Sequence, residues 1–120
     1  MAKRATQKTL TKRMTSARTL HVSVPVNIVI NPQPRVVPGQ AHVWNGQRVV
    51  WWNHSRHRVR VQVFDAIMGR PFFLTIEPGG HREAPADIKA PKGGPFPYAV
   101  VDLVTGNGIP GNSPPEIVIE

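Results

Sequence analysis

The chain has 120 residues, no cysteine and a formal net charge of +8 at pH 7. This length suits a single domain that buries a core of its own. The missing cysteines exclude disulfide bonds, thiolate catalysis, iron–sulfur clusters and cysteine zinc sites.

The first twenty residues carry most of the charge. They contain no aromatic residue, no acidic residue and six basic residues: Lys3, Arg4, Lys8, Lys12, Arg13 and Arg18. Residues 21–120 hold nine basic and seven acidic residues and are close to neutral. Too few large apolar residues lie in residues 1–20 to pack a core, so we expect a flexible basic arm that is disordered or becomes ordered on binding.

No stretch of the chain has the apolar length that membrane insertion needs. A membrane span requires about 18–20 apolar residues, and the apolar run that follows the arm is short and interrupted by Pro25 and Asn27. The basic N-terminal segment also lacks the apolar region of a secretory signal. We therefore expect a soluble, cytoplasmic protein with no membrane span; an organellar transit peptide is the less favoured alternative.

From residue 21 onwards, apolar and polar residues alternate with the period of two that is typical of β-strands. Pro25 limits the first strand to an edge or a bulge, and Asn45-Gly46 is the strongest hairpin signal in the chain. The alternation predicts strands over residues 21–30, 41–44, 47–52, 57–64, 72–76, 96–104 and 116–119.

The spacing of these strands indicates the fold class. Thirteen prolines and ten glycines interrupt the chain, and no helix-length apolar period remains between them. We predict an all-β protein, an antiparallel Greek-key β-sandwich over residues 21–120 that follows the basic arm of residues 1–20. The predicted core comprises Val24, Val50, Trp52, Val59, Val61, Val63, Phe73, Leu74, Tyr98, Val100 and Ile117, and the alternation allows either Trp51 or Trp52 to face inward.

Several short motifs resemble the cupredoxin-like superfamily, in particular its small copper-free bacterial members. The resemblance spans about residues 47–120. It rests on Val50-Trp51-Trp52-Asn53, the turn Pro78-Gly79, Phe96-Pro97-Tyr98, Thr105-Gly106-Asn107-Gly108 and Pro114-Pro115-Glu116-Ile117-Val118-Ile119. It implies a cupredoxin-like β-sandwich.

The same resemblance implies that the copper site of the superfamily is absent. A blue-copper site uses a cysteine thiolate, two histidines and a weak axial ligand. His57 stands where the first copper histidine is expected, but Val100 stands in the place of the cysteine. The loop of residues 101–112, where the second histidine and the axial methionine belong, contains neither. We therefore expect no copper and no other cofactor.

Histidines offer one alternative site. His54 and His57 are three residues apart, and His81 could join them to form a histidine-only zinc or copper site. The spacing alone does not bring the three rings together, and the neighbouring arginines would repel a cation. A metal-binding protein is therefore the second hypothesis from the sequence.

Arginines offer another candidate surface. Arg58 and Arg60 share one face of a predicted strand, and Arg56 precedes them. With Trp44, Trp51 or Trp52 nearby, such a face could contact phosphates and stack bases, although a solvated sheet face has the same pattern.

We find no catalytic constellation, so we expect a protein that is not an enzyme. The leading hypothesis is a binding or assembly module whose basic arm contacts an anionic partner, either nucleic acid or an acidic protein surface. The third hypothesis is a structural subunit that self-associates through exposed sheet edges.

Overall fold

The structure is a computed structural model that describes residues 23–64, 71–111 and 114–120. The predicted arm of residues 1–20 lies outside the described residues. No helix occurs in the described part of the chain. It contains ten strands: β1 Ser23–Val29, β2 Arg35–Val37, β3 Gln40–Val43, β4 Arg48–Asn53, β5 Val59–Val63, β6 Phe72–Ile76, β7 His81–Glu83, β8 Gly93–Pro97, β9 Ala99–Asp102 and β10 Glu116–Ile119.

The strands form three hydrogen-bonded sheets. One has the order β2-β1-β4-β7, the second has the order β9-β5-β6, and the third has the order β3-β10-β8. Most pairs are antiparallel, as predicted, but β1 pairs with β4 in parallel and β10 pairs with β3 in parallel. The all-β prediction is confirmed, and the two parallel pairs are an addition to it.

The core follows from the alternation within the strands. Val49, Trp51 and Asn53 of β4 are buried, whereas Trp52 is exposed. In β5 the three valines point inward and the two polar residues between them point outward. One continuous cluster of buried residues joins the inward faces of all three sheets.

The predicted core list needs three corrections. Trp51 is the inward tryptophan, with 1% of its surface exposed, whereas Trp52 is 37% exposed. Val50 is half-buried because it shares the outward face of β4 with Trp52. Phe73 is 62% exposed, since Leu74 beside it takes the inward position and neighbours in a strand face opposite sides.

The Asn45-Gly46 turn does not form the predicted hairpin. Gln47 N–H donates to the Trp44 carbonyl across the turn, and Gly46 has the positive φ of +88° that such a turn favours. However, β3 before the turn pairs with β10, and β4 after it pairs with β1 and β7. The turn therefore carries the chain from one sheet to another.

Candidate functional site

The arginines predicted from the sequence lie on strand β5 and in the loop before it. Arg60 projects from β5 opposite Val101 of β9 and Thr75 of β6. Arg58 directly precedes β5, where its carbonyl accepts a hydrogen bond from the Leu103 N–H. We call Arg56, Arg58 and Arg60 the arginine row. Arg60 lies on the outer side of sheet β9-β5-β6, because the valines of β5 occupy the inner side, and Arg58 and Arg56 are exposed in the segment that leads into β5.

The arginine row has little acidic compensation. Arg58 Nε lies 3.0 Å from a carboxylate oxygen of Glu77, and both side chains are more than half exposed. Exposed pairs of this kind contribute only about 0–1 kcal/mol, so an anionic ligand could displace Glu77 at little cost. Within the part of the chain that the structure describes, Arg56 and Arg60 form no salt bridge.

The aromatic residue beside the row is not one of the expected tryptophans. Trp51 is buried. Trp52 lies on the outward face of sheet β2-β1-β4-β7, where its ring stacks on His81 with centroids 4.2 Å apart. Phe73 of β6 instead pairs with Gln62 of β5. Gln62 is the next residue after Arg60 that faces outward on β5. The sequence does not show this, because three apolar residues, Phe72, Phe73 and Leu74, follow one another without alternation. Leu74 is buried in the structure, so its neighbour Phe73 faces outward.

His57, the histidine that the sequence resemblance singled out, pairs with an aspartate in this chain. His57 Nδ1 lies 2.9 Å from Asp102 Oδ2, and Asp102 ends β9 two residues beyond Val100. Both Val100 and Asp102 are buried, as a period of two requires. His57 and Asp102, together with Thr105, Asn107 and neighbouring apolar residues, border a small cavity of about 140 Å³.

These residues do not fit a blue-copper ion. The chain has no thiolate to supply, and Val100 places an apolar side chain where the cysteine would stand. One ring nitrogen of His57 is already engaged by a carboxylate. Asp102 was not among the site residues predicted from the sequence, although its two-residue separation from Val100 indicates that both face the same side.

The surroundings of Asp102 favour its charged form. Burial raises the pKa of Asp102, but hydrogen bonds from His57, from the Val104 N–H and from Thr105 outweigh burial and leave the pKa below its usual value. The Val104 N–H donates to Oδ1 at 2.9 Å, so the carboxylate also holds the turn that follows β9. The pair connects that turn to the loop that carries His57.

The structure does not bring the three predicted histidine ligands together. His54 Nε2 contacts Asn27 Oδ1 at 2.7 Å, His57 pairs with Asp102, and His81 stacks on Trp52. Among the described residues, no three histidine, aspartate or glutamate side chains form a group that could hold a metal ion. The histidine-only metal site is therefore not supported by the geometry.

The six basic residues of the arm lie outside the described residues, so their contribution remains a prediction from the sequence. Of the residues described, none belongs to a helix with the length and apolarity needed to cross a membrane.

Comparison with known proteins supports the fold. No protein-family model matches the chain, and no curated protein matches its sequence. Solved structures of amicyanin mutants, among them the three described next, are similar to this fold. An oxidised mutant with glycine in place of a proline has a TM-score of 0.55 at 15% identity, over 87% of this chain and 88% of that one. An oxidised mutant with lysine in place of a methionine gives 0.54 at 13% identity, over 87% and 88%.

The third match is the reduced Cu(I) form, at pH 4, of another proline-to-glycine mutant of amicyanin. Its TM-score is 0.52 at 14% identity, and the alignment covers 87% of this chain and 88% of that one. At such low identity the likeness shows the fold and not the function. The chain has a cupredoxin-like β-sandwich fold, and the fold predicted from the sequence is confirmed.

Proposed function

We propose that this protein is a non-enzymatic binding module that holds an anionic macromolecule between its basic N-terminal arm and the arginine row. The observation that supports the proposal is the arginine row itself: Arg60 on the outer face of β5, with Arg58 and Arg56 exposed in the segment before it, and the exposed Glu77 as the acidic partner of Arg58. The sandwich supplies a rigid platform, since its core residues are occupied in packing and leave the outer face free for contacts.

The charge distribution of the sequence also supports binding of an anionic macromolecule. The arm adds six positive charges without an acidic residue, whereas the rest of the chain is nearly balanced. Basic residues that neutralise phosphates release condensed counterions, which makes such binding strong at low salt and weak at high salt. A partner with a dense row of negative charges, above all nucleic acid, fits both surfaces.

The two surfaces can be tested separately in the full-length protein. One variant replaces the six basic residues of the arm with glutamine, and a second replaces Arg56, Arg58 and Arg60 with glutamine. Binding of each to heparin and to labelled nucleic acid is measured near physiological salt. We expect each variant to lose at least about tenfold in affinity, since exposed charges contribute on the order of 1 kcal/mol together with counterion release.

The matched control exchanges lysine for arginine, and arginine for lysine, at the six arm positions. This variant keeps the charge of the arm and changes only its chemistry. It should bind like the wild type if the arm acts through charge. If the glutamine arm binds as tightly as the wild type, the arm is not a binding element and the proposal fails.

A further inference from the structure

A groove lies where β6 and β7 approach each other across the gap between their two sheets. It has a volume of about 610 Å³, within the range of about 300–1,000 Å³ that is usual for binding sites. Each of these two strands pairs on one side only among the described residues, so the groove runs between two sheet edges. Its lining consists of Pro71, Phe72, Phe73, Leu74, Arg82, Pro85 and Ala86.

Phe73 gives the groove an exposed aromatic wall. The side chain is 62% exposed, although a phenyl ring on a sheet face ordinarily gains from being covered. Arg60 of β5 pairs with Thr75 and is therefore the diagonal neighbour of Phe73. Diagonal neighbours on one face of an antiparallel pair are about 7–8 Å apart. The aromatic wall therefore stands beside the arginine row.

Arg82 gives the groove a positive wall on the other side. Its Nη1 donates to the Thr75 carbonyl at 3.2 Å, which fixes the guanidinium across the gap between β7 and β6. A guanidinium has five N–H donors, so this single bond leaves others for a ligand. No salt bridge to Arg82 occurs among the described residues.

The described part of the chain begins near Arg82. Ser23, the first described residue, donates a hydrogen bond through its hydroxyl to Glu83, which follows Arg82 in β7. Arg82 and Arg60 place positive charge on either side of one exposed phenyl ring.

We infer that the anionic partner is a single-stranded nucleic acid, with a base stacked on Phe73 and the neighbouring phosphates held by Arg82 and Arg60. The inference rests on the proposed function and names its ligand. Stacking on an aromatic side chain needs an unpaired base, because a duplex covers both faces of its bases. An acidic protein surface or a duplex would use the charges and leave Phe73 without a role.

The test compares Phe73→Leu with the wild type in the full-length protein. The readout is fluorescence anisotropy of a labelled oligothymidylate, with a duplex oligonucleotide, heparin and polyglutamate as the other ligands. We expect the substitution to weaken oligothymidylate binding about tenfold, since one stacked base contributes about 1–3 kcal/mol. Binding of heparin should not change. Arg82→Gln should weaken binding of both ligands.

The matched control is Trp44→Leu, which removes another exposed aromatic ring, 63% exposed and located in the turn between β3 and β4. It should bind oligothymidylate like the wild type. Equal oligothymidylate affinity for Phe73→Leu and wild type overturns the inference, as does tighter binding of the duplex or of polyglutamate. Suppose that Phe73→Leu binds like the wild type. If the variant with the glutamine arm does not bind, only the inference of a single-stranded ligand fails. If that variant also binds normally, the proposed function fails as well.

Discussion

Asp102 connects the turn after β9 with the loop that carries His57. Its carboxylate pairs with His57 on one side and accepts the Val104 N–H on the other. A largely buried carboxylate that accepts several hydrogen bonds can hold two loops together. The contact between Asp102 and His57 is therefore expected to stabilise this end of the sandwich.

Replacing Asp102 with asparagine tests that role. The amide can still accept the Val104 N–H but loses the charge that faces His57, so we expect a loss of about 1–2 kcal/mol in the free energy of unfolding at pH 7. Urea unfolding of Asp102→Asn, of His57→Gln and of the double variant measures the coupling between the two residues. Additive losses would show that the pair contributes nothing.

The pH dependence of the same pair has a defined sign. The pKa of Asp102 is lower in the folded protein than its ordinary value of 3.8. The carboxylate therefore adds stability above about pH 4, and this contribution is lost as the pH falls through the lowered folded pKa. The difference in unfolding free energy between wild type and Asp102→Asn should shrink between about pH 5 and pH 3. A constant difference would contradict the assignment.

Trp51 and Trp52 are neighbours in sequence with opposite roles. Trp51 is buried, and its Nε1 donates to the Tyr98 hydroxyl at 3.2 Å. Burial raises the pKa of Tyr98 to about 12, despite the opposing effect of this hydrogen bond, so the phenol stays neutral at physiological pH. Trp52 is 37% exposed, and the His81 ring stacks on it.

Phenylalanine at each of the two positions gives a matched comparison. Trp51→Phe leaves a buried hydroxyl without its donor and opens a cavity, so we expect a loss of about 2–4 kcal/mol. Trp52→Phe should change stability by less than about 1 kcal/mol, because its site is partly exposed. Thermal or urea unfolding measures both. Equal losses would contradict the inward assignment of Trp51.

At the scale of single elements, Gly94 in β8 permits the close approach of β10. It has a φ of +110°, and a Cβ at this position would lie 2.9 Å from the Ile117 carbonyl oxygen. Both the conformation and the contact exclude a larger residue, and neither neighbour can move without disturbing the β8–β10 pair.

Alanine at Gly94 should therefore cost more than about 1 kcal/mol of unfolding free energy. Gly108 is the matched control, since a Cβ there meets no atom within 4 Å and its φ is not positive. Gly108→Ala should be neutral or raise stability by up to about 1 kcal/mol, because alanine restricts the unfolded chain. Differential scanning calorimetry of the two variants decides, and a neutral Gly94→Ala would contradict the described packing.

The sequence predicts strands best where burial produces a clear alternation. Residues 72–76 and 116–119 match β6 and β10 without any shift at either end. The strand β7, in contrast, was not predicted, because all three of its residues are exposed and carry no alternation. Likewise β8 begins with Gly93-Gly94-Pro95, residues typical of turns, and is a strand because β10 pairs with it.

Strand pairing is the information that a single sequence lacks. Asn45-Gly46 favours a tight turn, and it forms one, but the local signal does not determine which partners β3 and β4 choose. The same limit hid the groove, since Phe73 and Arg82 meet only through the arrangement of two sheets. The outward position of Arg60 was predictable, because it follows the two-residue period of β5.

The whole molecule combines a nearly neutral sandwich with a strongly basic extension. The free energy of folding comes from the continuous apolar core, whereas the proposed binding comes from charges that the core does not need. Neutralising the arm should therefore change affinity while leaving the unfolding midpoint of the sandwich within about 0.5 kcal/mol of the wild type. Circular dichroism melting of the glutamine-arm variant checks this separation, and a large loss of stability would contradict it.

The most direct test of the account is the salt dependence of oligothymidylate binding by the full-length protein and its glutamine-arm variant. Each phosphate contact on a single strand contributes about 0.7 to the slope of log Kobs against log salt. If the six arm residues, the three of the arginine row and Arg82 all engage phosphates, the wild-type slope is about −7 and the variant slope about −3. Equal slopes for the two proteins, or a wild-type slope near zero, would contradict binding through the basic arm.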